Sequence, residues 1–226
     1  MLYHVWSRYT PTDAETTRRM ALAAASWAKL RWVDRGLTDA ELPRVFVEGP
    51  RRFPYVRDLF DTGARGLALD DIIIFTNADI GMASQSDVRI ALMLQRNEAG
   101  YGNRRDFGHR LTELPTEAQI AGAASYCGTD LFFFRVRWWN AFRHEWPDMV
   151  LGREAWDACL RVLMEATCDN KPLSMNGLCW HERHGGTAYW EHPQNRYTLP
   201  GQRHNLDLAK KFVRRYGHSP VEFGIR

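Results

Sequence analysis

Strand and helix patterns alternate over the first 95 residues, and this alternation limits the possible folds more than any other feature of the chain. Strand-like apolar segments occur at 2–6, 44–49 and 71–76. Each is followed by apolar residues at helical spacing, which predict helices at 13–31, at 54–64 and in a segment that opens at Ser84 or Ser86. This order is typical of βαβ units, so we expect an α/β fold with a central, mostly parallel sheet flanked by helices.

The second half of the chain is less regular. Residues 97–127 are polar, glycine-rich and basic, and we expect a long loop there. Beyond it the chain predicts a strand at 129–139, a helix at 152–166, a strand leading into a loop at 177–184, and a last helix capped by Asn205. No repeat or linker interrupts the sequence, which predicts a single domain.

The composition excludes several classes of protein. The chain has 226 residues, of which 45% are hydrophobic and 25% charged, as in ordinary globular proteins. A net charge of +3 permits an anionic ligand but is far from the strongly basic character of a dedicated nucleic-acid-binding domain. No apolar run approaches the roughly 18–20 residues that span a bilayer, and the first residues lack a signal-peptide pattern, so we expect a cytoplasmic protein without a membrane partner. None of the four cysteines forms a C-x-x-C pair, which favours free thiols over a zinc site.

An amide and a carboxylate follow the most apolar strand. Asn77 and Asp79 come directly after the segment at 71–76 and point to the same side if the chain stays extended. Ligands of open parallel sheets bind beyond the carboxyl ends of the strands, where this pair lies. Carboxylate and amide oxygens suit Mg²⁺ or Mn²⁺. The alternative is an Asx turn that closes the strand.

Further candidate residues lie in the second half. Glu154 and Asp157 are spaced i, i+3 at the start of a helix, where the dipole favours carboxylates and where one of them could also deprotonate an acceptor hydroxyl. Asp130 opens the phenylalanine-rich strand and could bind a sugar hydroxyl. His181 and His184 could add metal ligands, or could be solvated loop histidines.

The order of these motifs resembles a known family. N-A-D-I, D-L-F-F-F, G-R-x-x-W-D and H-x-x-H follow one another over about residues 70–185. This is similar to the nucleotide-sugar glycosyltransferases of the GT-A fold, in particular a group with NADI, GRxxWDNWL and HQxHDY. The family's D-x-D falls on Asn77 and Asp79, so an amide replaces the first acid. The residues after the second histidine are Gly185 and Gly186 instead of D-Y.

The resemblance implies a metal-dependent glycosyltransferase that uses a nucleotide-sugar, with UDP-glucose the first expectation. It implies one GT-A domain over 1–226, with a nucleotide-binding half at 1–96 and an acceptor-binding half at 97–226. The expected metal, Mn²⁺ or Mg²⁺, would be held by Asp79, His184 and His181. The catalytic residues on the acceptor side are expected to be Asp157, Glu154 and Asp130. Donor contacts are expected from Arg8, Arg51, Asn77 and Arg153, since a guanidinium matches diphosphate oxygens; the alternative for each arginine is a solvated surface charge.

The acceptor is the least constrained part of the interpretation. The segment at 101–110 mixes cations with aromatic residues, namely Arg104, Arg105, His109, Arg110, Tyr101 and Phe107. Such a mixture suits phosphate contacts and base stacking. A compact GT-A enzyme with such a segment resembles phage enzymes that glycosylate hydroxymethylated DNA bases and that are related to the base J-associated glycosyltransferases. A phage enzyme of this kind would act in the host cytoplasm.

Other functions remain open. The acceptor could be a glycan or small-molecule hydroxyl instead of DNA. A nucleotidyltransferase of similar fold would show a glycine-rich basic loop after the first strand, and residues 9–14 show none. A non-catalytic module that binds nucleotide or nucleic acid is the third alternative. The oligomeric state is not predicted.

Overall fold

The described residues form nine strands, which make up one large sheet and one small one. The computed structural model describes residues 1–168, 174–183 and 198–225. The strands are β1 Leu2–Ser7, β2 Val33–Leu37, β3 Val45–Glu48, β4 Arg51–Pro54, β5 Ile72–Thr76, β6 Gly81–Met82, β7 Ala99–Phe107, β8 Ala124–Arg135 and β9 Ser174–Glu182. The large sheet has the order β2-β1-β5-β8-β7-β9-β6, and β3 and β4 form a separate antiparallel pair.

Most strands of the large sheet run in one direction. β1 is parallel to β2 and β5, and β7 is parallel to β9. β8 lies antiparallel between β5 and β7, and β6 is antiparallel to β9. Among the described strands of this sheet, five therefore share one direction while β8 and β6 oppose it, which confirms the expected α/β class with a mostly parallel sheet.

Helices cover both faces of this sheet. They are α1 Ala14–Trp27, α2 Val56–Ala64, α3 Ser86–Met93, α4 Glu117–Gly122, α5 Val136–Phe142, α6 Trp156–Thr167 and α7 Pro200–Arg215. Phe132 and Phe134 of β8 face a core shared with α2, α5, α6 and α7, whereas Phe133 faces a second core with α1 and α3. Successive strand residues point to opposite faces, so the run of three phenylalanines serves two cores. Among the helices that the described residues form, none has the length and apolar character to cross a membrane.

The expected loop at 97–127 is wrong. This segment contains β7, α4 and the start of β8. Gly100 and Gly102 obscure the strand pattern, and at least Gly100 is required by packing, because an added Cβ would lie 2.5 Å from the Phe133 ring. The glycine-rich composition therefore reflects close packing of β7 against its neighbour.

Several element boundaries also differ from the predictions, three of them as follows. The first helix ends at Trp27 instead of residue 31. The strand predicted at 129–139 ends at Arg135, and the chain continues as α5. Asn205 lies inside α7, which begins at Pro200, so it does not cap the helix.

Bulges interrupt the ladders on both sides of β7. Gly102 pairs with Leu131 and Arg105 with Ser125, so three steps along β7 match six along β8. Towards β9, the pairing moves from Asn176 to Trp180 while β7 advances from 103 to 105. Bulges of this kind bend strands and re-aim side chains, and they are common beside functional sites.

A close contact between α2 and β1 gives a test of this packing. An added Cβ at Gly63 would lie 2.7 Å from Cγ2 of buried Val5. We expect Gly63→Ala to lower the free energy of unfolding by about 1–3 kcal/mol, although alanine favours helix. Chemical denaturation measures this change.

Two further variants make that result specific. Gly122→Ala, where an added Cβ meets open space, should change stability by less than about 0.5 kcal/mol. The cost of Gly63→Ala should shrink in a Val5→Ala background, because the clashing methyl groups are gone. An equal cost in both backgrounds would contradict the packing argument.

Candidate active site

A polar cluster lies where β5, β7, β9 and the bulged part of β8 meet. β5 contributes Asn77 and Asp79 just beyond its end, and the other strands contribute charged groups from within their irregular segments. The ionisable members of the cluster are Asp79, Arg104, Asp106, Asp130 and His181. This is the edge of the sheet at which ligands of open α/β folds bind.

Arg104 holds two of the carboxylates together. Its Nη1 donates to Oδ2 of Asp130 at 2.9 Å, and its Nε donates to Oδ1 of Asp106 at 2.7 Å. The other oxygen of Asp130 accepts from Nδ2 of Asn77 at 3.1 Å. The guanidinium carbon also lies 3.9 Å from the ring centre of Tyr126. Both oxygens of the buried Asp130 carboxylate are thereby hydrogen-bonded, as buried charges require.

The side chains of Asp79 and His181 lie close together. Oδ2 of Asp79 lies 3.4 Å from Nε2 of His181, and Nδ1 of the same ring lies 3.5 Å from Oδ1 of Asp106. The histidine side chain is 4% exposed and that of Asp79 is 22% exposed. The structure thus brings together two of the three residues predicted to bind metal, while His184 lies outside the described residues.

The Asp79–His181 spacing fits a shared cation. Two ligands that each lie about 2.1 Å from one ion, at angles of roughly 90–110°, are separated by about 3.0–3.4 Å. Within the described ranges, no three histidine, cysteine or acidic side chains form a complete metal-binding group. The pair is therefore suited to an ion that takes its remaining ligands from a bound diphosphate, from water or from elsewhere in the chain, as Mg²⁺ sites often do.

Asp157 lies beside this cluster, in the first turn of α6. Burial raises its pKa to about 6, the nearby Asp130 charge adds to the effect, and the backbone N–H of Ala158 opposes it. Burial also raises the pKa of Asp130, against the lowering effects of Arg104 and His181. A carboxylate with a pKa of about 6 can accept a proton near neutral pH.

Two buried amides from α7 fix the turn that leads to Asp157. Asn205 accepts from the backbone N–H of Val150 at 2.8 Å and donates to the Val150 and Glu154 carbonyls at 2.9 and 3.1 Å. Gln202 accepts from the Glu154 N–H at 3.0 Å and donates to its carboxylate. Ala155, the residue before α6, adopts φ +75°, which is uncommon for a residue other than glycine.

The arginines predicted to bind the donor lie apart from one another. Arg8 follows β1, with its guanidinium carbon 5.6 Å from the Trp6 ring centre. Arg51 opens β4 in the small sheet. Arg153 is buried, forms an ion pair with Glu48 and lies 3.8 Å from the Phe53 ring centre, so its charge is already matched within the fold. The part of these arginines in donor binding stays a prediction.

Three residues near the cluster were not predicted from the sequence, namely Asp106, Tyr126 and Tyr9. Asp106 lies in the segment taken for a loop, where no periodicity marked it as a strand residue. Tyr126 lies on the bulged part of β8. Tyr9 is 49% exposed, and the burial of the rest of its side chain, together with the Asp79 charge, raises its pKa. The D-L-F-F-F strand pointed only to Asp130 in this region.

Comparison with known proteins supports the fold. No family matches the chain, and no curated protein matches it. Among solved structures, S. aureus TarS 1–349 in complex with UDP-GlcNAc is similar over 97% of this chain and 74% of that chain, with a TM-score of 0.55 and 9% sequence identity. A further structure of S. aureus TarS 1–349 covers 97% and 73%, with a TM-score of 0.48 and 10% identity. The similarity to the first of these structures shows that this chain has a GT-A-like fold.

The raised pKa of Asp157 predicts a specific pH dependence. A carboxyl group whose pKa is raised on folding, here to about 6, destabilises the folded state progressively as pH rises above its ordinary value near 4. We expect Asp157→Asn to raise the free energy of unfolding at pH 7–8 by roughly 1–3 kcal/mol relative to the wild type. The gain should shrink as pH falls and vanish below the ordinary aspartate pKa of about 4, where the wild-type carboxyl group is protonated in both the folded and the unfolded state.

Thermal or urea unfolding between pH 4 and 8 measures this difference. Asp207→Asn, on the exposed face of α7, is the matched control for the loss of one carboxylate. A gain for Asp157→Asn that is constant over the whole range would contradict the assigned pKa shift.

Proposed function

We propose that the protein is a metal-dependent glycosyltransferase that moves a sugar from a nucleotide-sugar, most simply a UDP-sugar, to a hydroxyl acceptor. The observation that carries this proposal is the convergence of Asp79 and His181, 3.4 Å apart, beside Asp130 and Asp157 at the ligand-binding edge of a GT-A-like sheet. The similar protein TarS, a glycosyltransferase, has been solved with UDP-GlcNAc. UDP-glucose and UDP-GlcNAc are therefore the first donors to test.

The charge of the site supports the requirement for a metal. Asp79, Asp106 and Asp130 surround His181, and Arg104 is already bound to two of these carboxylates. A diphosphate placed here without a counter-ion would meet repulsion from the acidic side chains. When bound, Mn²⁺ or Mg²⁺ would supply the positive charge that stabilises the departing diphosphate. Asp79 and His181 would hold it, and His184 remains a proposed further ligand.

Asp157 is proposed as the group that takes the proton from the acceptor hydroxyl. Its pKa of about 6 lets it be largely ionised at neutral pH and still a useful base. Glu154 contributes to this raised pKa, and its own carboxylate is held by Gln202. Asp130 would accept hydrogen bonds from sugar hydroxyls, and Asn77 would donate hydrogen bonds to them. In this proposal residues 1–96 mainly bind the nucleotide, and residues 97–226 mainly bind the acceptor.

A hydroxymethylated pyrimidine in phage DNA is the more specific acceptor suggested by the sequence. Its basis is the basic and aromatic segment at 101–110 in an expected loop, but residues 101–107 of that segment belong to β7. Tyr101 and Phe107 are buried there, so neither ring can stack on a base without rearrangement. Arg104 is neutralised by Asp106 and Asp130. These contacts favour a glycan or other hydroxyl acceptor, with DNA as the comparison in the assay.

The donor site can be tested separately from the acceptor. We expect the protein to bind UDP with Mn²⁺, as measured by calorimetry, and to release UDP slowly from a UDP-sugar by transfer to water. Asp79→Asn should weaken Mn²⁺-dependent UDP binding at least about tenfold, because one carboxylate ligand is lost. Chelation by EDTA should give a similar loss in the wild type.

Asp207→Asn serves as the charge-matched control, since Asp207 is exposed on α7. It should bind UDP like the wild type. If the wild type binds neither UDP nor Mn²⁺, the protein is not a metal-dependent UDP-sugar enzyme. If Asp79→Asn binds UDP with unchanged metal dependence, the metal is held elsewhere.

A further inference from the structure

Tyr126 stands out among the aromatic residues of β8. Phe132, Phe133 and Phe134 are fully buried, whereas Tyr126 is 37% exposed. It lies on the bulged stretch that ends at Asp130, beside the polar cluster. A partly exposed aromatic ring next to a candidate active site offers an apolar surface to a ligand.

The ring of Tyr126 is held in place from two sides. The guanidinium carbon of Arg104 lies 3.9 Å from its centre, and Arg104 is itself fixed by Asp106 and Asp130. An added Cβ at Gly128 would lie 2.2 Å from Cε1 of the ring, so the ring occupies the space that a side chain at 128 would need. Such a supported ring loses little freedom when a ligand binds, which favours affinity.

The charges around the ring select the chemistry of its ligand. Arg104, which packs on the ring, is bound to both Asp106 and Asp130, so two carboxylates face one cation here; carboxylate oxygens accept hydrogen bonds, and the net negative charge repels phosphates. A ligand that donates many hydrogen bonds and carries no phosphate suits these neighbours. Arg104 covers one face of the Tyr126 ring, and the C–H face of a sugar would pack on the part of the ring that stays exposed. A neutral carbohydrate satisfies both requirements, and a polyanionic strand does not.

We propose that Tyr126 is the binding platform for a sugar ring of a neutral carbohydrate acceptor, positioned next to Asp130. This inference rests on the proposed glycosyltransferase function and narrows its acceptor class. The platform contacts the acceptor and leaves the donor site untouched. Replacing it should therefore alter the acceptor KM while UDP binding stays the same.

The experiment compares acceptors and variants. Wild-type protein with Mn²⁺ and a panel of UDP-sugars is assayed for UDP release with neutral mono- and disaccharides, and with hydroxymethylcytosine DNA. We expect transfer to a carbohydrate and none to DNA. Tyr126→Ala should raise the KM for the carbohydrate about tenfold or more, with kcat for transfer to water and the Kd for UDP each within about twofold of wild type. Tyr126→Phe should retain a KM close to that of the wild type.

Gly128→Ala gives an independent variant. Its added methyl group displaces the ring, so the acceptor KM should rise in the same direction as for Tyr126→Ala. Leu92→Ala, which removes a 57% exposed apolar side chain from α3, should leave every parameter unchanged. Thermal unfolding and UDP binding verify that each variant is folded, and Tyr126→Leu replaces Tyr126→Ala if the latter is unstable.

The possible results separate this inference from the proposed function. Transfer to DNA but not to carbohydrate, or an unchanged carbohydrate KM in both ring variants, overturns the platform and leaves the glycosyltransferase function standing. Absence of UDP binding and of transfer to any acceptor, water included, overturns the proposed function and the platform with it. A raised acceptor KM with an unchanged UDP Kd supports both.

Discussion

The Arg104 guanidinium is the interaction on which the candidate site depends. It bonds to Asp106 and Asp130 through separate nitrogens, at 2.7 and 2.9 Å, and packs on the Tyr126 ring. Unpaired buried carboxylates would be strongly destabilising, so this concentration of acid needs a cation inside it. Lysine could not replace arginine here, because a single ammonium lacks the flat, forked arrangement of donors that two carboxylates and an aromatic face share.

Backbone irregularity brings these groups together. In a regular sheet, side chains alternate strictly between two faces, which already serve the two apolar cores on either side of β8. The bulges beside 102–105 release the neighbouring segments of β8 and β9 from that alternation. Asp130 and His181 can then approach the end of β5 without removing Phe132 or Phe133 from their cores. The site is thus built where the ladder is broken, while the regular parts of the same strands supply the stability.

The sequence was informative where local pattern and position in the fold agree. The β-branched run of β5 is buried throughout, and the polar residues that follow it lie at the site, as the strand–helix alternation predicts. The sequence was misleading where the role of a residue depends on a partner far away in the chain. Arg153 matches a family motif but is bound by Glu48, 105 positions away in the chain, and no local signal reveals that pair. β7 was hidden because Gly100 is required by the Phe133 ring, a contact between strands that periodicity does not encode.

The position of Asp157 depends on the last helix of the chain. The turn that leads to Asp157 is not regular secondary structure, since Gly152 and Ala155 both have positive φ. Buried Gln202 and Asn205 instead bind the backbone of Val150, which precedes Gly152, and of Glu154, which directly precedes Ala155. Ala155 in the left-handed region costs about 1 kcal/mol, and such strain persists only where surrounding contacts determine the conformation. The amides of α7 provide those contacts, so the carboxylate is placed near Asp130 by side chains about 45 residues further along the chain. The raised pKa of Asp157 is in this sense a property of the whole fold and not of the G-R-x-x-W-D segment alone.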